Sequence, residues 1–328
     1  MPRPEGRFRR PLAAEIERLA GDLRGSMGPI DDALASLASG DGLPPGLEPE
    51  VLFAGGVPRI RPLLVLLASR SGELQGQDPQ AAAEVAYIAE LLHTAIRLHD
   101  AALGRQHGRR RRAARRVLGS AAHWLGANHV MLRALEIARR APAPEILGDA
   151  LDTWREVSEV HALGEALRAR PATVSDAVQL AEGHTGAVFS FSCRAGGRLG
   201  GLDRPVLTAL GRYGRHVGVG VHIGEDMAVF ERPENWRVLP PRPALFPVAS
   251  AGERDPGVND LWRRLLMRPD GRTAEELGER VRAGGGMQAG REAMVRQSWA
   301  ARKALTALPE SPARDALDRI AGSLGKAA

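Results

Sequence analysis

An all-α fold is what this 328-residue sequence predicts, and three observations carry that expectation. Apolar residues recur at spacings of three and four through most of the chain, the period of one face of a helix. Alanine, leucine and arginine, all good helix formers, dominate the composition, and β-branched runs are short. Glycine and proline gather in a few breaks and leave long segments between them uninterrupted. The first helix is expected over 12–38, from the apolar start at Leu12-Ala13-Ala14-Glu15-Ile16 to the turn Gly40-Asp41-Gly42-Leu43-Pro44-Pro45. Short helices follow over 49–54 and 60–73, the second built on Leu63-Leu64-Val65-Leu66-Leu67-Ala68. Longer ones are expected over 79–102 and 110–140, where Pro142-Ala143-Pro144 stops the pattern, and then over 145–168, 174–200 and 205–230. Pro233-Glu234-Asn235-Trp236 opens a stretch bearing Pro240, Pro241, Pro243 and Pro247, which reads as a loop because proline breaks a helix interior. Helices over 257–266, 273–284 and 286–324 complete the chain. No composition shift or fixed-period repeat divides it, so residues 1–328 read as one domain with a basic segment over 1–11.

Composition excludes several classes. With 44% hydrophobic residues the chain can bury a large core and does not read as disordered. The single cysteine, Cys193, allows no internal disulfide and fits a reducing cytoplasm. The first eleven residues show no apolar signal core, and no apolar run approaches the roughly 20 residues that span a bilayer. A cytoplasmic protein without a transmembrane segment is therefore expected. The net charge of +6 is almost wholly arginine, since Lys303 and Lys326 are the only lysines. Arginine can recognise phosphate, although a base composition rich in arginine codons also explains it. The run Arg109-Arg110-Arg111-Arg112, continued by Arg115 and Arg116, lacks interleaved aromatics, so no nucleic-acid partner is expected. Nine histidines show no metal spacing with cysteine, and His123 and His129 stand six apart, so no zinc site is expected.

Three stretches occur in a telling order. Gly56-Val57-Pro58-Arg59-Ile60-Arg61-Pro62 is followed by Glu90-Leu91-Leu92-His93-Thr94-Ala95-Ile96-Arg97-Leu98-His99-Asp100, and Leu308-Pro309-Glu310-Ser311 stands near the end. This resembles the trans-isoprenyl diphosphate synthase, or polyprenyl synthetase, family over residues 12 to 324. The resemblance implies an isoprenoid-synthase-type bundle of long antiparallel helices around a central pocket, commonly dimeric. It also implies prenyl transfer from an allylic diphosphate, with Mg²⁺ held between two Asp-Asp-x-x-Asp motifs facing each other across the pocket. Hard cations need oxygen ligands, and aspartates at i, i+1 and i+4 place two carboxylates on one helix face.

The departures are concentrated in those motifs. The first reads Asp100-Ala101-Ala102-Leu103-Gly104, and the second keeps only the adjacent acids Glu225 and Asp226, with Val229 in the i+4 place. The family's Lys-Thr pair appears as His184-Thr185, its neighbouring glutamine as Ala162, and its Gly-Asp pair as Ala127-Asn128. The resemblance assigns diphosphate binding to Arg59, Arg61, His93, Arg109 and Arg110, a depleted magnesium site to Asp100, Glu225 and Asp226, and a prenyl-pocket wall to Leu92, Ala95 and Ile96. Magnesium is the one cofactor it implies. Three functions are expected to compete. The leading one is a non-elongating homologue, a regulatory or partner subunit of a catalytic prenyl synthase, forming a heteromer or a homodimer. The others are an atypical prenyltransferase with a reduced magnesium site and a protein that binds a prenyl lipid or isoprenyl diphosphate without chemistry.

Overall fold

The computed structural model describes residues 10–38, 59–72, 78–103, 109–231, 236, 242–268 and 270–326, with the side chains of Arg10 and residues 109–120 outside that set. No strand occurs among the described residues. In chain order the helices are α1 (Arg10–Asp22), α2 (Arg24–Ala38), α3 (Ile60–Ser69), α4 (Pro79–Ala102), α5 (Arg109–Ala138), α6 (Glu145–Ala166) and α7 (Val174–Ala181). A five-residue π turn, Glu182–Gly186, leads into α8 (Ala187–Leu199) and α9 (Arg204–Phe230). The C-terminal part holds α10 (Phe246–Gly252), α11 (Pro256–Met267), α12 (Gly271–Ala283), α13 (Gly286–Ala304) and α14 (Pro312–Lys326).

Local chemistry explains the starts. The carboxylates of Asp78, Asp203 and Asp270 accept from backbone N–H groups of Ala81, Val206 and Thr273, satisfying donors that a first turn leaves open. Proline follows Asp78 and Asp203 in the first two helical positions, where its missing N–H costs nothing. Thr173 and Asp176 form a reciprocal capping box on α7, and Arg170 grips the same aspartate with two bonds of 2.7 and 2.8 Å. α13 starts after Gly285, whose φ of 74° suits glycine.

The core is continuous through the bundle. α4 packs on α3, α5 and α8, while α9 packs on α8, α13 and the π turn. One apolar cluster joins α2 to α6 with α8; a second joins α1, α3, α8, α9, α13 and α14. α9 fits closely because it presents glycine: a Cβ on Gly218 would lie 2.8 Å from Gly186 Cα and 2.9 Å from Thr185 O. Backbone approach of this kind draws α9 against the π turn, and both carry polar side chains of the site.

Several expected boundaries are corrected. The helix expected over 12–38 breaks at Leu23, and 174–200 is interrupted by the π turn. The terminal 286–324 helix splits around a 3₁₀ turn, Leu305–Ala307, and the residues up to Ser311, because Pro309 and Pro312 cannot continue it. Phe246–Gly252 forms a helix that the proline count had assigned to loop, with Pro247 tolerated in its first turn. The expected helix over 49–54 and most of the basic segment over 1–11 lie outside the described residues. None of the described helices is long and apolar enough to cross a membrane.

Candidate active-site pocket

Four segments bring their polar side chains to one place: the C-terminal end of α4, the C-terminal third of α6, the π turn and the second half of α9. A row of imidazoles marks it. His99 lies 5.7 Å from His161 between ring centroids, His161 lies 5.7 Å from His184, and His184 lies 5.6 Å from His222. Trp124 and Trp154 close the His99 end at 4.4 and 5.0 Å. Sequence spacing gave no hint of this row, because each histidine comes from a different element. The one local signal was His184 standing where the family resemblance places lysine.

Asp100 sits beside the row. Its Oδ2 lies 3.0 Å from His184 Nε2 and its Oδ1 lies 3.5 Å from His161 Nε2. Burial raises its carboxyl, but the attraction of His184 and the hydrogen bonds of His161 and His184 outweigh that and hold it well below the usual carboxylate range. Next along, Thr185 Oγ1 and His222 Nδ1 share a hydrogen bond of 2.8 Å. Burial, then the charge of Arg242, lowers His222 to about 3, so it is neutral at physiological pH. His99 is lowered to about 4, again chiefly by burial.

Asp226 is closed off. Its side chain is 3% exposed, Oδ1 accepts from Arg242 at 3.0 Å, and Oδ2 accepts from the Phe246 N–H at 3.0 Å. Burial nonetheless pushes its carboxyl up to about 6 against the pull of Arg242 and that amide. Arg242 also lies in the field of Glu225 and Asp100, so the surviving acids surround one guanidinium.

The expected diphosphate ligands are placed unevenly. Arg61 is buried and spends its guanidinium on Glu90 in a bidentate pair of 2.9 and 3.1 Å. Arg59, which starts α3 with a φ of 63°, pairs with Asp31. His93 lies in the field of Arg61, Arg97, His184 and Asp100, and burial first, then Arg61, lowers it well below its ordinary value. It can offer an anion one N–H and no charge at neutral pH. Arg109 and Arg110 stand in the first turn of α5, and their side chains lie outside the described residues.

Two expectations change. Leu92, Ala95 and Ile96 are packed in the apolar cluster with α5 and α8, each at most 1% exposed, so in this conformation they form closed core and not an open wall. The donors do not fit magnesium. Mg²⁺ takes oxygen ligands in near-octahedral geometry, yet both oxygens of Asp226 are engaged by Arg242 and the Phe246 N–H. Among the described residues the group whose ligand atoms do converge is Asp100, His161 and His184. What the structure brings together is a largely buried cluster of imidazoles, the Arg242 guanidinium and three carboxylates, suited to holding an anion or a single ion with nitrogen ligands.

Comparisons with known proteins agree with this architecture. The family model described as polyprenyl synthetase matches residues 50–235. A (2E,6E)-farnesyl diphosphate synthase of Mycobacterium tuberculosis is 31% identical over 182 residues, covering 53% of this chain and 50% of the relative. The chain thus spans about half the length of the first curated relatives it matches. An octaprenyl diphosphate synthase of Escherichia coli is 24% identical over 284 residues, covering 82% of this chain and 86% of that one. The solved decaprenyl diphosphate synthase of Rhodobacter capsulatus superposes with a TM-score of 0.76 at 24% identity, covering 94% of this chain and 98% of its own. A polyprenyl synthase of Caulobacter crescentus, solved with calcium and isoprenyl diphosphate, gives a TM-score of 0.76 at 22% identity over 100% of both chains.

Proposed function

Because this chain belongs to the polyprenyl synthetase family, we propose that it is an isoprenyl diphosphate-binding homologue that does not itself run magnesium-dependent elongation and serves as a partner subunit of a catalytic prenyl synthase. One observation carries the reading: the two oxygens of Asp226 are held by Arg242 and the Phe246 N–H, where the family resemblance calls for a magnesium ligand. Elongation needs hard cations to neutralise a leaving diphosphate. Here that charge balance is supplied from within, by Arg242 among Asp226, Glu225 and Asp100. Binding survives the loss, since guanidinium and imidazole groups recognise a diphosphate directly.

Leu125 and Leu132, seven apart on α5, are 62% and 61% exposed, and an exposed apolar pair on one helix face supports a subunit contact. The test is an incubation of the purified chain with labelled isopentenyl diphosphate, Mg²⁺ and a panel of allylic primers. No elongated product is expected from the chain alone, and an altered product length is expected once a catalytic synthase is added. Robust elongation by the chain alone would sink the proposal.

A second reading, an atypical prenyltransferase with a reduced metal site, draws on the convergence of Asp100 with two histidines. It requires turnover that Asp100→Ala abolishes. Binding of a polyprenyl diphosphate unchanged by EDTA, with no turnover, would instead leave a prenyl-lipid binding protein.

A further inference from the structure

We propose that Asp100, His161 and His184 form a binding site for one divalent transition ion of the zinc class, with a fourth coordination position left for water or a ligand oxygen. All three ligand atoms lie within 4.8 Å of one another. Both histidines turn Nε2 to the carboxylate, one on each oxygen, at 3.0 and 3.5 Å. A tetrahedral centre with bonds of 2.0–2.1 Å has ligand atoms about 3.3 Å apart; the two nitrogen–oxygen distances fall on either side of that value but run to different oxygens, so a shared ion needs a small turn of the Asp100 side chain.

The ligands come from three separate elements. Asp100 stands in the last turn of α4, His161 on α6 and His184 in the π turn. The extra residue of a π turn changes which side chains face the pocket, and such turns are common at functional sites. The side chains are nearly removed from solvent, at 16%, 10% and 20% exposure in that order. A single His–Asp ion pair would account for the 3.0 Å contact. A second imidazole, on a different helix, turns its Nε2 to the same carboxylate, and one cation shared by the three groups would use both nitrogens.

Donor type decides the ion. Two nitrogens and one carboxylate suit zinc, cobalt or iron(II), whereas magnesium requires an all-oxygen shell and sheds water reluctantly. Local charge permits a cation. Arg242 is bonded to Asp226, Glu225 adds a second negative charge in its field, and His222 is neutral. The ring of His99 packs 5.7 Å from that of His161 and belongs to the shell around the site.

The test uses the full chain, stripped with a chelator and titrated calorimetrically with Zn²⁺ alone and with Mg²⁺ alone. One Zn²⁺ per chain is expected, and Mg²⁺ should neither bind with comparable affinity nor compete. His161→Ala and His184→Ala should each weaken Zn²⁺ by more than the roughly 10–100-fold that loss of an outer-shell partner costs. His216→Ala, whose ring bonds Gln297, should leave the affinity unchanged. Cobalt substitution of the unmutated protein keeps the test decisive where a variant fails to fold. Strong visible absorption, bleached by added Zn²⁺, marks four-coordinate nitrogen and oxygen ligation. No stoichiometric Zn²⁺ uptake, affinity unchanged in both histidine variants, or a weak six-coordinate cobalt spectrum would each overturn the proposal. Because the probe is the metal alone, the outcome is separate from whether the chain elongates isoprenoids.

Discussion

At Asp226, where the family resemblance implied a magnesium ligand, the protein's own donors hold the carboxylate. A buried carboxylate must find donors, and Arg242 and the Phe246 N–H provide them. Burial still wins in part, pushing the carboxyl up to about 6. An unfolded aspartate titrates near 3.9, so between about pH 4 and pH 6 the folded chain holds more protons than the unfolded one. Raising the pH through that window therefore weakens the fold. Two units correspond to about 3 kcal/mol, as an order of magnitude. Denaturant unfolding of the wild type and of Asp226→Asn at pH 4 and pH 7 checks this. The wild type should lose about 2 kcal/mol more than the variant over that interval, and equal losses would show that the carboxyl titrates normally. Asp226 was legible as a surviving acid of the motif, but its partner was not. Arg242 lies in a proline-rich stretch read as loop, and only folding sets its guanidinium against a carboxylate sixteen residues away.

At the scale of elements, long periodic helices were readable and their interruptions were not. The helix expected over 79–102 has those bounds because Asp78 and Pro79 mark its start with capping chemistry. The π turn at Glu182–Gly186 carries no comparable signal, since nothing in Glu-Gly-His-Thr-Gly distinguishes it from an α-helical segment poor in propensity. It is held from outside. Gly218 lets α9 come against it, and a methyl group there would press on Gly186 Cα and Thr185 O at 2.8 and 2.9 Å. Such contacts involve backbone, which cannot rotate away. Gly218→Ala is expected to cost about 1–3 kcal/mol in thermal unfolding, the usual range for overpacking. It should also disturb the hydrogen bond of Thr185 with His222 next to it, seen as a shift of the His222 imidazole resonances in NMR. A variant as stable as wild type with those resonances unmoved would show that the turn does not depend on the close approach. The imidazole row belongs to this scale as well: helix faces could be read from the sequence, but which faces meet could not.

Across the whole molecule, α9 links the pocket to the C-terminal helices. Near its start the hydroxyl of Tyr213, fully buried, donates to the Leu317 carbonyl of α14 at 2.7 Å. Thirteen residues further on, Asp226 reaches the pocket, about 20 Å away at 1.5 Å per residue. The Leu-Pro-x-Ser stretch near the end was recognisable in the sequence, yet this tie was not, because a tyrosine and a backbone carbonyl 104 residues apart leave no pattern. The two ends of α9 should behave as independent sites, since effects separated by more than 7–10 Å without shared partners add. Tyr213→Phe removes one buried hydrogen bond without opening a cavity, so the expected cost is about 1 kcal/mol. For a chain of this size that lowers the melting temperature by about 2 °C. The stability difference between pH 4 and pH 7 attributed to Asp226 should be the same in Tyr213→Phe as in wild type. A flattened pH dependence would show that the anchor at α14 sets the pocket geometry through the helix, and that α9 transmits displacement along its length instead of isolating its two ends.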